Sequence, residues 1–324
     1  MAVYIIRRLV WLPIVLFLVS VITLALALYG PGGPIQALLG LKAKPETVER
    51  FKHEYGLDQP FPVIYYNYVS KAVRGDFGVG LSRYADQPVS AIIGERLPVT
   101  AQLNLISLVI GSGIGIAIGV FAGLHRNSWF DYLARFLSLT AISIPLLFLL
   151  PFLTFIFSRR HEFPVGAQSL SLGPILPMVS GKWEGAFSQQ AILPIFLESL
   201  GFIATFTWQM RAGIIETLGQ DYVRTARAKG LRENVVLIRH AMRNALIPIA
   251  TILTLSLGDL VVGSFLVETW FGIPGIGQLG IIAFTGREYY IILALVLLIA
   301  ISYVVSGAIL DLLYPVLDPR IRRS

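Results

Sequence analysis

The sequence predicts an all-α membrane protein of six transmembrane helices with both termini in the cytoplasm. Three observations predict it. Of the 324 residues, 55% are hydrophobic and 14% charged, with a mean hydropathy of +0.72, whereas a soluble globular chain is roughly 25% charged. Six apolar stretches are each close to the ~20 residues that a helix needs to cross a bilayer. The basic residues fall unequally on the loops between them. This composition excludes an ordinary soluble enzyme, a disordered chain and a nucleic-acid-binding module. The net charge of +7 is therefore read as topology. Cysteine is absent, which removes disulfides, thiolate nucleophiles and cysteine metal ligands.

The first stretch, 9–29, follows Arg7 and Arg8 and is not followed by a small-residue cleavage site, so a retained span is expected rather than a cleaved signal. The other five are 99–123, 132–157, 191–210, 246–267 and 290–313. Each is expected to cross as a helix, which satisfies its own backbone in hydrocarbon. Prolines at 145, 151 and 248 lie in or near spans and are expected to kink them.

Orientation follows from the short loops. One side carries Arg7 and Arg8, His125 and Arg126, the segment 211–243 with seven Arg or Lys, and Arg320, Arg322 and Arg323. The other carries Arg159, Arg160, Lys182 and Arg287 in short loops. The loop 30–97 has eight basic residues, but long loops translocate largely regardless of charge. The first side is thus cytoplasmic. The chain divides into one domain, 1–324, with an extracytoplasmic loop 30–97, a core transmembrane region 99–313 and a cytoplasmic loop 211–245.

The extracytoplasmic loop opens with a turn, Gly30-Pro31-Gly32-Gly33-Pro34. Val48, Phe51 and Tyr55 then fall at helical spacing. A second short helix is expected over 64–73, ended by Arg74-Gly75-Asp76, and a third from Pro88 to Pro98. The loop 158–190 is rich in Gly, Pro and Ser and reads as irregular. No internal repeat is evident.

Gly111, Gly115, Gly119 and Gly123 lie four apart on one helix face and admit a close neighbouring backbone. The stripe fits tight packing within the chain or a sliding surface for a moving helix. Asp259 is read as the one acid near the middle of a span, where a carboxylate costs about 2.5–3.5 kcal/mol on insertion scales. It either lines a translocation path or is hydrogen-bonded between helices. Glu268 follows at the outer end, before Phe271-Gly272-Ile273-Pro274-Gly275-Ile276-Gly277, a run that suits a re-entrant or gate-supporting turn, or an external loop.

The segment between spans four and five is the most informative. Ile214, Leu218 and Tyr222 recur every four residues, carrying an apolar stripe below the membrane. Gly230 is placed to stop a helix, and a second helix returns toward Pro248 with Arg239 and Arg243 one turn apart. The resulting helix–glycine–helix hairpin suits docking to a cytoplasmic partner, or is a basic surface loop. No G-x-x-x-x-G-K-[ST] loop occurs, the four histidines have no metal-ligand spacing, and no G-x-S-x-G elbow or intramembrane Ser/His pair is found. These absences weigh against an intramembrane enzyme. The missing repeat weighs against a secondary transporter.

Taken in order, the motifs resemble a known family. They are Arg7-Arg8-Leu9, Tyr55-Gly56-Leu57-Asp58-Gln59-Pro60, Arg74-Gly75-Asp76-Phe77-Gly78, Glu95-Arg96-Leu97-Pro98, the run from Asp221 to Gly230, Arg239-His240-Ala241-Met242-Arg243-Asn244-Ala245-Leu246-Ile247-Pro248, Val267-Glu268-Thr269 and Asp311-Leu312-Leu313-Tyr314 with Leu317-Asp318-Pro319-Arg320. The chain resembles the permease subunit of a binding-protein-dependent ABC importer of the dipeptide/oligopeptide/nickel group, a type I importer fold. It departs in three places. The general loop signature E-A-A is here Arg224-Thr225-Ala226 with Gly230 kept, the group's P-G-D-P is Pro31-Gly32-Gly33-Pro34, and the 158–190 loop is longer.

The resemblance implies a mechanism and partners. The chain would pair with a homologous second permease, two cytoplasmic ATPases and an extracytoplasmic solute-binding protein, in a prokaryotic plasma membrane. ATP and Mg would sit on the ATPases, with no cofactor, metal or catalytic residue in this chain and no nucleic-acid partner. The ATPase-coupling residues would be Asp221, Tyr222, Arg224, Thr225, Ala226, Arg227, Ala228, Lys229, Gly230 and Leu231. Asp259, Glu268, Phe271, Pro274 and Gly275 would line the path or gate. Peptides are the leading solute, with nickel chelates, glutathione and oligosaccharides as alternatives.

Overall fold

The computed structural model describes residues 2–29, 45–54, 58–158, 185–187 and 191–317. Among these, regular structure is helical, apart from isolated bridges between Val79 and Pro88 and between Gly80 and Ala85. The helices are α1 (Ala2–Tyr29), α2 (Pro45–Glu54), α3 (Phe61–Ala72), α4 (Val89–Leu124), α5 (Trp129–Ser143), α6 (Leu146–Ser158), α7 (Ile192–Leu218), α8 (Asp221–Ala228), α9 (Glu233–Val235), α10 (Arg243–Val262), α11 (Phe265–Trp270), α12 (Ile276–Gly286) and α13 (Tyr289–Leu317). A π-helical stretch, Val236–Met242, joins α9 to α10.

Four helical segments are long and apolar enough to span a membrane: Val89–Leu124, Ile192–Leu218, Glu233–Trp270 and Tyr289–Leu313. A fifth is a bent pair, Trp129–Ser143 with Leu146–Leu153. The apolar part of α1, Pro13–Tyr29, is shorter. Large apolar side chains cover the outer surface, among them Phe17, Leu26, Phe136 and Phe148, each more than half exposed. Such a surface suits lipid, because hydrocarbon rather than water then faces it.

Two boundaries correct the sequence reading. The helix expected from Pro88 to Pro98 is not separate, since α4 runs unbroken through Pro98 to Leu124. Proline removes one backbone bond there but does not end the helix, a cost that packing in a membrane protein absorbs. The span expected over 132–157 is two helices bent by 99°. Ile144 precedes Pro145 and takes extended dihedrals, φ −82° and ψ 114°, because the proline ring crowds the α conformation of the residue before it. Pro151 and Pro248 sit inside α6 and α10.

The α4–α7 pair is the spine of the fold. Gly111, Gly115, Gly119 and Gly123 meet α7 at successive turns, beside Phe202, Phe206, Met210 and Ile214. A Cβ at Gly115 would stand 2.7 Å from the Ile203 carbonyl oxygen, and one at Gly119 the same distance from that of Thr207. Backbones this close gain dispersion contacts, the main attraction between helices where lipid is as apolar as the side chains. Thr207 Oγ1 donates to the Gly115 carbonyl at 3.2 Å across the seam. The buried side chains of Phe206, Met210 and Ile214 join Leu108, Ala245 and Ile249 in one cluster, which brings α10 onto the pair.

At the end of the spine that meets α5, Asp131 is fully buried. It accepts hydrogen bonds from Arg211 Nε and Nη2 and from the Asn127 amide. Arg211 lies within α7. At the opposite end, Glu288 is buried and accepts the amides of Leu81, Ser82 and Tyr84 at 2.7–3.1 Å. This carboxylate fastens the 79–88 loop to the start of α13. Arg96 bridges the same region, donating to Gln278 Oε1 and Tyr84 Oη, both at 3.1 Å. The helix α3 lies on α1 and α13 through Phe61, Ile64 and Tyr65, which pack with Leu24, Tyr289 and Leu293.

The α2 helix contains Val48 and Phe51 as their spacing predicts, and α3 starts at Phe61, three residues before the expected 64–73. The Gly30–Pro34 turn, Tyr55, almost all of the 158–190 loop and the tail from Asp318 lie outside the described residues.

Candidate functional site

Two regions carry the candidate residues. The first is a cavity of about 620 Å³ walled by α4, the α5–α6 bend, α7 and α10. Its polar lining is Asn104, Glu198, Thr205, Ser256, Asp259 and Ser264, set among Ile142, Leu146, Leu149, Phe202, Ile252 and Val262. The break between α10 and α11 forms part of the wall. Gly263 there has φ +73°, and a Cβ on it would meet Glu268 Oε1 at 2.6 Å, so both conformation and space require glycine.

Asp259 lies one turn before that break and is half-buried. Tyr303 of α13 donates its hydroxyl to Asp259 Oδ1 at 2.6 Å, and Asn104 donates to the Asp259 carbonyl at 2.7 Å. Asp259 is thus hydrogen-bonded between helices, the second of the two alternatives, and it is also part of the cavity wall.

Glu268 is fully buried, with Thr100 Oγ1 donating to Oε1 at 2.8 Å and the Gln278 amide donating to Oε2 at 3.0 Å. Thr100 Oγ1 also accepts the Ile276 amide at 2.7 Å. The carboxylate therefore caps the start of α12, where unsatisfied amides and the helix dipole favour negative charge. The end of α11 closes with Gly272 N–H on the Thr269 carbonyl and Ile273 N–H on that of Glu268, a Schellman arrangement. Phe271, Ile273 and Gly275 are buried, Pro274 is half-buried and Gly272 is exposed, so most of the 271–277 run is packed against the protein.

Sequence reasoning missed Glu198, which lies within the apolar stretch 191–210 and enters the same cavity as Asp259. Ser107 Oγ donates to its Oε2 at 3.3 Å. Its Oε1 is buried with no hydrogen-bond partner among the described residues. The signal was a single Glu in an otherwise apolar run, as strong as the one that marked Asp259.

The second region is the hairpin beyond α7. The α7 helix ends at Leu218, and a new helix starts at Asp221, so the apolar stripe does not run on continuously to Tyr222. Ile214 is buried, whereas Tyr222 is exposed and its hydroxyl accepts from Asn244 Nδ2 at 2.6 Å. The inner face of α8 is Val223 and Ala226, which pack with Val236 and Leu218. Ala226 thus faces inward. Asp221, Tyr222, Arg224, Thr225, Arg227, Ala228, Lys229, Gly230 and Leu231 are exposed together.

Gly230 has φ +75°, with open space around it, and turns the chain toward α9. A left-handed residue after a helix is the glycine role expected from the sequence. Arg227 forms a bidentate pair with Glu233 across the turn, Nη2 to Oε1 at 2.5 Å and Nε to Oε2 at 3.1 Å. That hydrogen-bonded pairing holds the guanidinium above its ordinary pKa. The returning arm is wound as a π-helix through Arg239 and His240, an uncommon geometry that often marks functional segments.

Comparison with known proteins covers the whole length. Residues 115–323 match the family described as binding-protein-dependent transport system inner membrane component, and residues 1–104 match the N-terminal region of such membrane components. The glutathione transport system permease protein GsiC of Shigella flexneri serotype 5b (strain 8401) is 34% identical over 319 residues, 98% of each chain. GsiC of Escherichia coli (strain K12) is 34% identical over the same length. The dipeptide transport system permease protein DppB of Alkalihalophilus pseudofirmus is 31% identical over 334 residues, 99% of this chain and 100% of that one. The chain belongs to the family of binding-protein-dependent transport system inner membrane components, multi-pass proteins of the prokaryotic inner membrane.

Proposed function

We propose that this chain is the permease subunit of an ATP-driven importer of di- or oligopeptides. The observation that carries the reading is full-length likeness to dipeptide and glutathione permeases. Glutathione is the second reading, favoured by the 34% identity to permeases named for it.

In this reading the chain crosses the membrane six times, with α1 as the first span and the hairpin on the cytoplasmic side. It forms half of the pathway with a homologous permease, and the 620 Å³ cavity is its share. Two ATPases bind ATP and Mg and grip one hairpin on each permease at the exposed side chains between Asp221 and Leu231. A solute-binding protein delivers the solute from outside. Closure of the ATPases draws the hairpins together and opens the cavity outward, and hydrolysis resets it, which is alternating access between two packings. The chain performs no covalent step. The extended α4–α7 seam suits a rigid lever, and the α5–α6 bend and the α10–α11 break provide joints beside the cavity.

Affinity purification of the tagged chain in mild detergent tests the proposal. A second six-span permease and two ATPase subunits are expected in stoichiometric amounts. A chain that purifies alone and still drives uptake in vesicles contradicts it.

A further inference from the structure

We infer that Glu198 seats the protonated amino group of the solute inside the cavity, with Asp259 as the second acidic group. This rests on the permease reading and names the chemistry that the pathway recognises. Three observations carry it. Among the described residues the cavity lining holds two carboxylates, Glu198 and Asp259, and no basic side chain. The two are not equivalent, since Asp259 Oδ1 is occupied by the Tyr303 hydroxyl. Glu198 has only the long 3.3 Å bond from Ser107 on Oε2, and its buried Oε1 has no partner among the described residues.

A buried carboxylate oxygen without a donor is costly, and the cost persists until a donor arrives. A primary ammonium brings three donors and a positive charge, the complement of that oxygen. The rest of the lining fits the remainder of such a solute. Asn104 and Ser256 offer neutral hydrogen-bonding groups, and Phe202 and Ile252 offer apolar surface. Asp259 stands on α10 and Glu198 on α7, so an ammonium held by Glu198 faces acidic groups on two walls of one cavity.

The chain has no cysteine, so a single introduced thiol reports on the cavity. Thr205→Cys places an exposed thiol in the lining. The complete complex with its partner permease and ATPases is placed in nanodiscs, and maleimide labelling at position 205 is timed with dialanine or N-acetyl-dialanine present. Dialanine is expected to slow labelling at least threefold and the acetylated probe to leave it unchanged. Glu198→Gln should erase that difference, and Glu198→Asp should retain part of it. Equal protection by both probes, protection by neither, or full selectivity in Glu198→Gln overturns the inference. If Glu198→Gln does not assemble, Glu198→Asp decides: weakened dialanine protection supports the assignment and unchanged protection overturns it. Binding-protein-stimulated ATP hydrolysis in the same nanodiscs reads the permease function separately, so its loss strikes that reading and the labelling pattern strikes this one.

Discussion

Thr100 donates to Glu268 at 2.8 Å across 168 positions of sequence, and the same hydroxyl accepts the Ile276 amide at 2.7 Å. One threonine of α4 thus completes the cap of α12 and satisfies a buried acid of α11. Thr100→Val removes the donor and the acceptor while keeping the shape. Each buried group left unsatisfied costs about 1–3 kcal/mol. Thermal unfolding of the purified protein should shift down clearly for Thr100→Val and little for Thr100→Ser. Equal melting of wild type and Thr100→Val contradicts this account.

The α4–α7 seam makes a sharper comparison. Gly115→Leu must push the helices apart, because even a Cβ would lie 2.7 Å from the Ile203 carbonyl oxygen. Gly113, two residues away, has nothing within 4 Å of a Cβ. Gly113→Leu should express and melt as wild type, whereas Gly115→Leu should fail to give a stable protein in detergent. Size-exclusion profiles of the two variants check this, and a monodisperse Gly115→Leu peak sinks it.

The Asp131–Arg211 pair predicts non-additivity. Removing one partner of a buried ion pair costs about 3–5 kcal/mol, whereas replacing both by apolar residues is often nearly neutral. Asp131→Leu and Arg211→Met should each destabilise strongly, and the double variant should lose less than the sum, recovering only part because Asn127 and Arg135 also lose Asp131. Stability measured by urea or heat across the cycle decides it. Losses that simply add show that the two side chains act independently.

Gly230 predicts a defect in coupling rather than in folding. Its surroundings are open, but φ is +75°, a conformation that costs most side chains about 1–2 kcal/mol. Gly230→Val should leave the protein in the membrane at normal abundance and reduce solute uptake per ATP hydrolysed at least severalfold. Gly230→Asn, which accepts the left-handed conformation, should retain coupling. Normal uptake in Gly230→Val dismisses the turn as a functional element.

Local patterns were legible in the sequence and long-range pairings were not. The four-residue glycine spacing pointed to a close-packed face, and the structure sets that face on α7. The helix stop at Gly230 was read from one residue type that adopts the required φ without strain. The burial of Glu268 depends on Thr100, 168 residues away, and no local pattern announces such a partner. Glu288 is the same case, because its three donors come from the loop at 81–84. The Pro145 break was read only as a kink, because sequence identifies the residue before proline as extended but does not give the direction of the next helix. Glu198 was readable and passed over, since one acid barely lowers the hydropathy of a long apolar run.

In the proposed mechanism the Asp221–Leu231 hairpin transmits ATP-driven motion from a cytoplasmic ATPase. Site-specific cross-linking tests this coupling. Ala228→Cys is the sole thiol of the chain and is exposed on α8, so it can carry a photoreactive maleimide in native membranes. Irradiation should join this chain to an ABC ATPase, with a yield that changes between ATP-trapped and nucleotide-free states. Undiminished ATP-driven uptake with no adduct to an ATPase in either state contradicts the account.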